Sequence, residues 1–226
     1  MKRPTLNNDE LRADAVLSRA GIDHPRLVLS HGAARTTIVA DQALSESTLL
    51  VAQCGGSPAL VQVAGERVTV RPTRASLAHR AASALLWGRA AMTLRLSTAA
   101  RWAIAIHGGA SRVTADLRAL QLSTLEVNGG ASEMLLDLPR PVGVVRIRFD
   151  GGVHAVTLRR PKGVPIQVVL SEGGSQFALD GQYLHAIAGP TQLTTDPEMV
   201  PNRYIVSVAG GARHLIVETR ESAYAD

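Results

Sequence analysis

The sequence predicts an all-β fold, a short β-solenoid in which successive coils of the chain stack on one another. Three observations predict it: a Gly-Gly dipeptide that recurs along the chain, alternating apolar residues on both sides of it, and few aromatic residues (3%) within an apolar content of 46%. Such a composition favours strands and turns over a helical bundle, and it excludes a disordered chain. A fixed period of roughly 20–50 residues is typical of repeat proteins.

The Gly-Gly dipeptides mark the corners of the predicted coils. They begin at Gly108, Gly129, Gly151, Gly173 and Gly210, so the spacings are 21, 22, 22 and 37 residues. An alternating stretch precedes each dipeptide and another follows it, as WAIAIH and ASRVTADL do at the first. Alternation of this kind predicts half-buried strands, similar to those of a single-stranded β-helix. Paired glycines suit a tight corner because they accept positive φ and let neighbouring backbones approach closely.

Aligning the repeats, with one residue missing after Gly174, predicts that apolar side chains stack into three continuous columns. A solenoid would bury these columns, with neighbouring coils, here called rungs, roughly 4.8 Å apart. The first column contains Val113, Met134, Val156, Phe177 and Leu215, the second Ala115, Leu136, Leu158, Leu179 and Val217, and the third Ile106, Val127, Phe149, Leu170 and Val208.

Leucine-rich repeats share this period and are the main alternative for the fold. Leu122, Leu125 and Val127 fit the first half of the leucine-rich motif. Where those repeats place an inward asparagine, however, this chain has Gly130, and the residues after it alternate as a strand does. The β-solenoid is therefore the preferred interpretation.

The chain before residue 102 is less regular but carries the same signals. Residues 27–39 resemble a degraded repeat with His31-Gly32 at its corner. Further strands are predicted over residues 49–53, 59–63 and 67–71, with turns at Gly55-Gly56 and Ala64-Gly65. We therefore expect one solenoid domain over residues 26–226, irregular over 26–101 and regularly repeated over 102–220.

Two helices and one long loop are expected beside the repeats. Residues 7–20 form the first predicted helix, because Asn7 or Asn8 can cap it and Gly21 can end it. Residues 1–25 would then be a helical extension that caps the stack. The Ala- and Leu-rich residues 76–91 also suit a helix. Residues 183–203, rich in Pro, Gly and Thr, predict a long loop that leaves a rung and returns to it.

A row of acidic residues is the strongest candidate for enzyme chemistry. Asp116 and Asp137 occupy equivalent positions in successive repeats, followed by Arg159, Asp180 and Glu218. Stacked rungs would separate the first two carboxylates by about one strand spacing, close to the roughly 5 Å found in retaining glycosidases. The sequence shows no apolar pocket that would raise the pKa of either carboxyl group, as a general acid requires. A solvated edge is therefore the preferred interpretation.

The remaining reactive residue types predict no metal, cofactor or catalytic site. The seven histidines form no helical i, i+4 pair, and no Cys-x-x-Cys or His-Glu-x-x-His spacing occurs. Cys54 is the single cysteine, which excludes a disulfide framework, and no base partner is identifiable for it. No glycine-rich phosphate loop precedes a helix, so the glycines are interpreted as architectural.

Positive charge is concentrated in one part of the chain. Residues 67–115 contain eight arginines and no acidic residue. Within this part, Arg74, Arg80, Trp87 and Arg89 form a candidate surface for an acidic protein partner or an anionic membrane. The alternative is that residues 81–87 cap the solenoid while the arginines face water. A nucleic-acid partner is disfavoured, because the stacking aromatics that it needs are missing apart from Trp87 and Trp102.

The amino-terminal residues predict a cytoplasmic location. Met1-Lys2-Arg3 is followed at once by polar residues rather than by the apolar stretch of a secretory signal. No apolar run approaches the roughly 20 residues needed to span a bilayer. We therefore expect a cytoplasmic protein.

The Gly-Gly-Ala-Ser strings at residues 108–111 and 129–132, each followed by alternating apolar residues, resemble the toastrack-type domain, a β-solenoid also described as a putative adhesin domain. The resemblance covers residues 26–220 and is strongest over 102–181. That family occurs in bacterial cell-envelope stress and cell-wall-antibiotic response proteins and in relatives of phage-shock regulators. It implies a non-catalytic interaction or sensing module, often fused to membrane or signalling segments that are not recognised here, and it supplies no catalytic residue.

The sequence thus predicts a non-enzymatic binding or scaffold module with a protein partner, linked to bacterial envelope stress. Flat strand faces and residues 183–203 are its candidate contact surfaces. Two alternatives stay open: a glycan-active enzyme that uses Asp116 and Asp137, and a bactofilin-like protein that forms homo-oligomers by end-to-end stacking. A cap at the amino-terminal end would argue against stacking, because it blocks one open end.

Overall fold

The computed structural model describes residues 14–30, 33–54, 59–72, 91–195 and 200–220. Every regular element in these ranges is a β-strand. The strands are β1 (Asp14–Ser18), β2 (Arg26–Leu29), β3 (Ala33–Asp41), β4 (Thr48–Cys54), β5 (Ala59–Ala64), β6 (Arg67–Pro72), β7 (Met92–Ser97), β8 (Arg101–His107), β9 (Ala110–Asp116), β10 (Gln121–Asn128), β11 (Ala131–Asp137), β12 (Val144–Phe149), β13 (Val153–Pro161), β14 (Ile166–Leu170), β15 (Gly173–Leu179), β16 (Gln182–Ala188), β17 (Thr191–Thr194), β18 (Arg203–Val208) and β19 (Ala212–Arg220).

The strands form two stacked sheets, and each rung contributes one strand to each sheet. The ten-stranded sheet has the order β1-β4-β7-β3-β9-β11-β13-β19-β15-β16, and the nine-stranded sheet has the order β17-β14-β18-β12-β10-β8-β2-β6-β5. Inward side chains of both sheets are buried between them, whereas outward positions are partly or fully exposed. The all-β solenoid predicted from the repeats is confirmed, and so are the predicted strands around residues 49–53, 59–63 and 67–71.

The three predicted apolar columns are present and in register. Met134 lies opposite Val113 on one neighbouring strand and opposite Val156 on the other. All three side chains are almost completely buried. The order of the last two rungs differs from the chain order, because β18–β19 lies between β12–β13 and β14–β15. Leu215 is consequently the partner of Val156, and the rung containing Phe177 is stacked beyond it.

The two ends of the stack are built alike. At one end the first rung, β2–β3, lies against β8–β9, and β6–β7 and then β4–β5 are added outside it. At the other end the last rung, β18–β19, lies against β12–β13, and β14–β15 and then β16–β17 are added outside it. The outermost rungs, β4–β5 and β16–β17, run antiparallel to their neighbours, and we call them reversed rungs.

The predicted helix over residues 7–20 is wrong where the structure describes it. Asp14–Ser18 is strand β1, which pairs antiparallel with β4 at the edge of the ten-stranded sheet. Pairing supplies partners for the edge groups of β4 and lets Ala15 and Leu17 pack against the core. The stabilisation from this pairing and packing exceeds the weak helix propensity of five residues. Residues 7–13 lie outside the described residues, as does most of the helix expected over residues 76–91.

The predicted loop over residues 183–203 is also wrong in form. The chain turns at Gly181 and Gly189, both with positive φ, and runs back along the stack as β16 and β17. Pro, Gly and Thr in this segment mark its turns, whereas the alternation Tyr-Leu-His-Ala-Ile marks a strand. The insertion is therefore a reversed rung rather than a loop.

The Gly-Gly corners stack backbone upon backbone. A Cβ atom on Gly129 would lie 2.8 Å from the amide nitrogen of Gly109, and one on Gly151 would lie 2.7 Å from the carbonyl carbon of Gly129. The residue that follows each corner by a few positions has a positive φ of 48° to 55° although it is not glycine; these residues are Arg35, Arg112, Glu133, Ala155, Gln176 and His214. The positive φ therefore recurs at an equivalent place in successive rungs, and the strands stay in register across it.

Candidate functional site

The candidate partner surface predicted at Arg74, Arg80, Trp87 and Arg89 lies outside the described residues. It stays a prediction. The structure does describe three other surfaces that bear on function: the acidic row, the reversed rung β16–β17, and the outer face of the nine-stranded sheet.

The acidic row forms, but Glu218 rather than Asp180 follows Arg159, and Asp180 lies one rung further out, in the turn after β15. Asp116 and Asp137 are direct neighbours on β9 and β11, and Arg159 and Glu218 continue the row on β13 and β19. Each carboxylate in the row has an arginine partner. The ion pairs are Asp116 with Arg118 at 2.6 Å, Asp137 with Arg220 at 3.4 Å, and Glu218 with Arg159 at 2.9 Å.

The environment of Asp116 is opposite to that of a general acid. Hydrogen bonds from the Arg118 guanidinium hold the pKa of Asp116 below its ordinary value of 3.8. At the end of the neighbouring strand β3, the backbone N–H of Ala43 and the guanidinium of Arg95 lower the pKa of Asp41. Asp116 and Asp41 line a solvent-open depression of about 620 Å³ between two rungs rather than an enclosed pocket. The side chains around Asp116 therefore favour the interpretation of a solvated edge.

The pKa of Asp116 leads to a prediction on acid stability. A carboxyl group whose pKa is lowered by folding contributes stability above its unfolded pKa, near 4, and this contribution is lost as pH falls through the folded pKa. Because this ion pair is largely exposed, Asp116→Asn should lower the free energy of unfolding by only about 0.5 kcal/mol at pH 7. As pH falls below 3.8, the difference in stability between the variant and the wild type should shrink, which urea denaturation at pH 7 and at successively lower pH values measures. If the difference in stability between the variant and the wild type stayed the same in acid, the ion pair of Asp116 with Arg118 would not be its cause.

No group of three His, Cys, Asp or Glu side chains in the described ranges could hold a metal ion. His107 is instead paired at a corner, where its Nδ1 lies 2.9 Å from Nδ2 of Asn128 on the next rung.

Within the described ranges, no helix is long and apolar enough to cross a membrane.

The reversed rung β16–β17 leaves one end of the stack uncovered by described residues. Within those residues, β16 pairs only with β15 and β17 only with β14, so the outer edges have no partner strand. Tyr183 is 50% exposed and Leu184 is 38% exposed, and the ring of Tyr183 meets that of His185 edge to face at 4.7 Å. Neither strand contains Lys, Arg, Asp or Glu, the residues that usually protect a sheet edge.

The outer face of the nine-stranded sheet is strongly basic. Its strands contain seven arginines and a single acidic residue, Glu126, whereas the strands of the ten-stranded sheet contain seven arginines and six acidic residues. Sequence reasoning found the excess of arginine along residues 67–115 but missed its distribution between the faces. The alternation of inward and outward positions along the strands that precede each corner could have revealed this distribution, because the arginines occupy the outward positions.

Comparison with known proteins agrees with this architecture. Residues 74–159 match the family model described as the N-terminal domain of toast_rack, DUF2154. The crystal structure of a "putative cell adhesion protein" from Clostridium sporogenes has a similar fold, with a TM-score of 0.64 at 15% sequence identity over 92% of this chain and 98% of that one. No curated protein matches the sequence. The resemblance indicated by the Gly-Gly repeats is thereby confirmed: residues 74–159 match the toast-rack N-terminal domain, and they lie within a chain whose described residues form a β-solenoid.

Proposed function

We propose that this protein is a non-enzymatic binding or scaffold module of bacterial envelope stress sensing, and that it binds a protein partner through the reversed rung β16–β17. The observation that carries the proposal is the unprotected edge of this rung, with exposed apolar side chains beside unpaired backbone groups in the described chain. An extended segment of a partner can add to such an edge as a further strand. The toast-rack match supports an interaction module rather than an enzyme.

The acidic row supports the same proposal. The carboxylates of Asp116, Asp137 and Glu218 are engaged by arginines, and folding lowers the pKa of Asp116. Glycoside hydrolysis would need one carboxyl group with a raised pKa beside an ionised one. We therefore propose a structural role for this row, in which the Arg159–Glu218 pair ties the adjacent strands β13 and β19 together and the Arg220–Asp137 pair links β19 to β11.

The test is complementation of a gene deletion in the host bacterium, scored as growth under a cell-wall antibiotic. Leu184→Lys places a charge at the uncovered end of the core, where an added strand would pack, and should fail to restore growth. Thr114→Lys is the matched control, since Thr114 is exposed on central strand β9, and should restore growth as the wild type does. Because Leu184 is already 38% exposed, the lysine should cost no more than about 1 kcal/mol of stability.

Two outcomes would contradict the proposal. If the deletion strain tolerates the antibiotic as well as its parent, the envelope role is wrong. If Leu184→Lys restores growth fully while the deletion strain is sensitive, the partner does not bind at the reversed rung. A cytoplasmic location belongs to the proposal, and fractionation of the same strains checks it.

A further inference from the structure

The two faces of the solenoid differ in charge although they contain equal numbers of strand arginines. On the nine-stranded sheet, strand residues carry a surplus of six positive charges, and on the ten-stranded sheet a surplus of one. The seven arginines of the nine-stranded sheet are Arg26, Arg67, Arg71, Arg101, Arg146, Arg148 and Arg203. This outward set, with Val142 beside it, is here called the basic face.

These arginines point away from the core. Each lies next to a completely buried neighbour, as Arg67 does beside Val68 and Arg146 beside Val145, so alternation turns the arginines outward. Glu126 pairs with Arg26 at 3.0 Å, and Asp150 pairs with Arg148 at 2.5 Å.

Several guanidinium groups of the basic face remain available. Within the described residues Arg67, Arg71 and Arg146 have no acidic partner, and Glu66 lies at the border of the face. Taking a strand spacing of about 4.8 Å, the five steps from β6 to β18 extend over roughly 24 Å. The basic face is therefore a broad field of positive charge, wider than one phosphate or carboxylate group.

The composition of the basic face distinguishes among anionic partners. Its strands contain three Trp, Tyr or Phe residues, Trp102, Phe149 and Tyr204, and all are completely buried, so these described strands expose no Trp, Tyr or Phe ring on which a nucleobase could stack. Val142, by contrast, is 68% exposed, and its carbonyl oxygen accepts a hydrogen bond from Arg101. An exposed aliphatic side chain among arginines suits a surface of charged headgroups above acyl chains.

We propose that the basic face docks on the surface of an anionic phospholipid bilayer. Breadth and charge complementarity carry the proposal: several headgroup phosphates can be contacted at once by guanidinium groups on β6, β2, β8, β12 and β18. The proposal goes beyond strand addition at the reversed rung. It concerns a different surface, and its test uses purified protein and lipid, so either can fail alone.

The test is co-sedimentation of the full chain with vesicles of equimolar phosphatidylglycerol and phosphatidylcholine, against vesicles of phosphatidylcholine alone. The wild type should bind the anionic vesicles only, and less at high salt. Since an arginine near an anionic surface contributes about fivefold in affinity, the triple variant Arg67→Gln, Arg101→Gln, Arg146→Gln should bind about 100-fold more weakly. All three side chains are exposed, and circular dichroism verifies the fold.

The matched control removes three arginines from the opposite sheet, in the triple variant Arg35→Gln, Arg112→Gln, Arg213→Gln. Gln176 already occupies the repeat position equivalent to Arg35 and Arg112, with the same positive φ, so glutamine is compatible with that backbone. This variant has the same net charge as the first and should lose less than about threefold in affinity, through long-range attraction alone.

The remaining outcomes each overturn the proposal. Failure of the wild type to sediment with anionic vesicles at low salt would exclude a lipid-docking role. An equal loss in both triple variants would show that net charge, rather than the basic face, drives binding. Tighter binding to a single-stranded oligonucleotide than to the anionic vesicles, lost in the first triple variant, would assign the basic face to nucleic acid instead.

Discussion

Replacing Gly210 by alanine is expected to destabilise the fold by about 3 kcal/mol, whereas the same change at the adjacent Gly211 should alter stability by less than about 1 kcal/mol. A Cβ atom on Gly210 would lie 2.6 Å from the amide nitrogen of Gly152 and 2.9 Å from the carbonyl carbon of Gly151, which belong to the next rung. A Cβ atom on Gly211 would meet nothing within 4 Å.

Neither glycine has a positive φ, so alanine strains the backbone conformation at neither position. The difference between the two variants therefore measures the effect of close backbone contact alone. Backbone atoms cannot swing aside as a flexible side chain can, so Gly210→Ala must push two rungs apart at the corner. Urea denaturation followed by the fluorescence of the buried Trp102 measures both variants. Equal stabilities would show that the corner relaxes without cost and that stacking does not require glycine there.

The repeats made most of this fold predictable from the sequence. Stacked rungs must place equivalent residues on top of one another, so a correct alignment of the Gly-Gly corners fixed the neighbours of Met134 on both sides. It could not fix the position of the last rung, because β19 has apolar columns equivalent to those of β15 and either order buries them. Order depends on the intervening reversed rung, a tertiary choice that local pattern does not encode.

The candidate surfaces were less predictable than the fold. The acidic row was visible because it recurs with the repeat, but the arginines that neutralise it come from loops and from other strands, as Arg118 and Arg220 do. The edge of β16 was hidden by turn-forming residues on both sides of a short alternating stretch. The basic face was hidden because its arginines are spread over five strands that are distant in the chain.

Arg160 is a buried charge that the alternation of inward and outward positions along β13 could have predicted. It follows Arg159 and reads as a second surface charge, yet it continues the inward positions of Val156 and Leu158. Its side chain is 2% exposed and makes two hydrogen bonds to Asp180, of 2.8 Å to Oδ1 and 2.5 Å to Oδ2. Asp180 lies in the turn between β15 and β16, so a buried guanidinium anchors the start of the reversed rung.

Loss of this anchor is expected to be asymmetric between the two partners. Asp180→Asn removes the negative charge but keeps a residue that tolerates the positive φ of 47° at this turn, and it leaves the Arg160 guanidinium buried without compensation. Because Asp180 is 31% exposed, the loss should be near the lower end for a broken buried pair, about 3 kcal/mol. Arg160→Met fills the space with an apolar side chain and leaves a carboxylate that water can reach, so its loss should be about 1 kcal/mol.

The double variant separates charge burial from packing. If the uncompensated guanidinium causes the loss in Asp180→Asn, then Arg160→Met together with Asp180→Asn should be about as stable as Arg160→Met alone, because no buried charge remains. Simple addition of the two single losses would instead show that the partners act independently.

Amide hydrogen exchange gives a second readout: in Asp180→Asn, amides of β16 should lose protection before those of the central strand β11, since only the reversed rung depends on this turn. Uniform loss of protection in both strands would mean that Arg160 stabilises the whole stack, and the reversed rung would then not be a separately anchored unit.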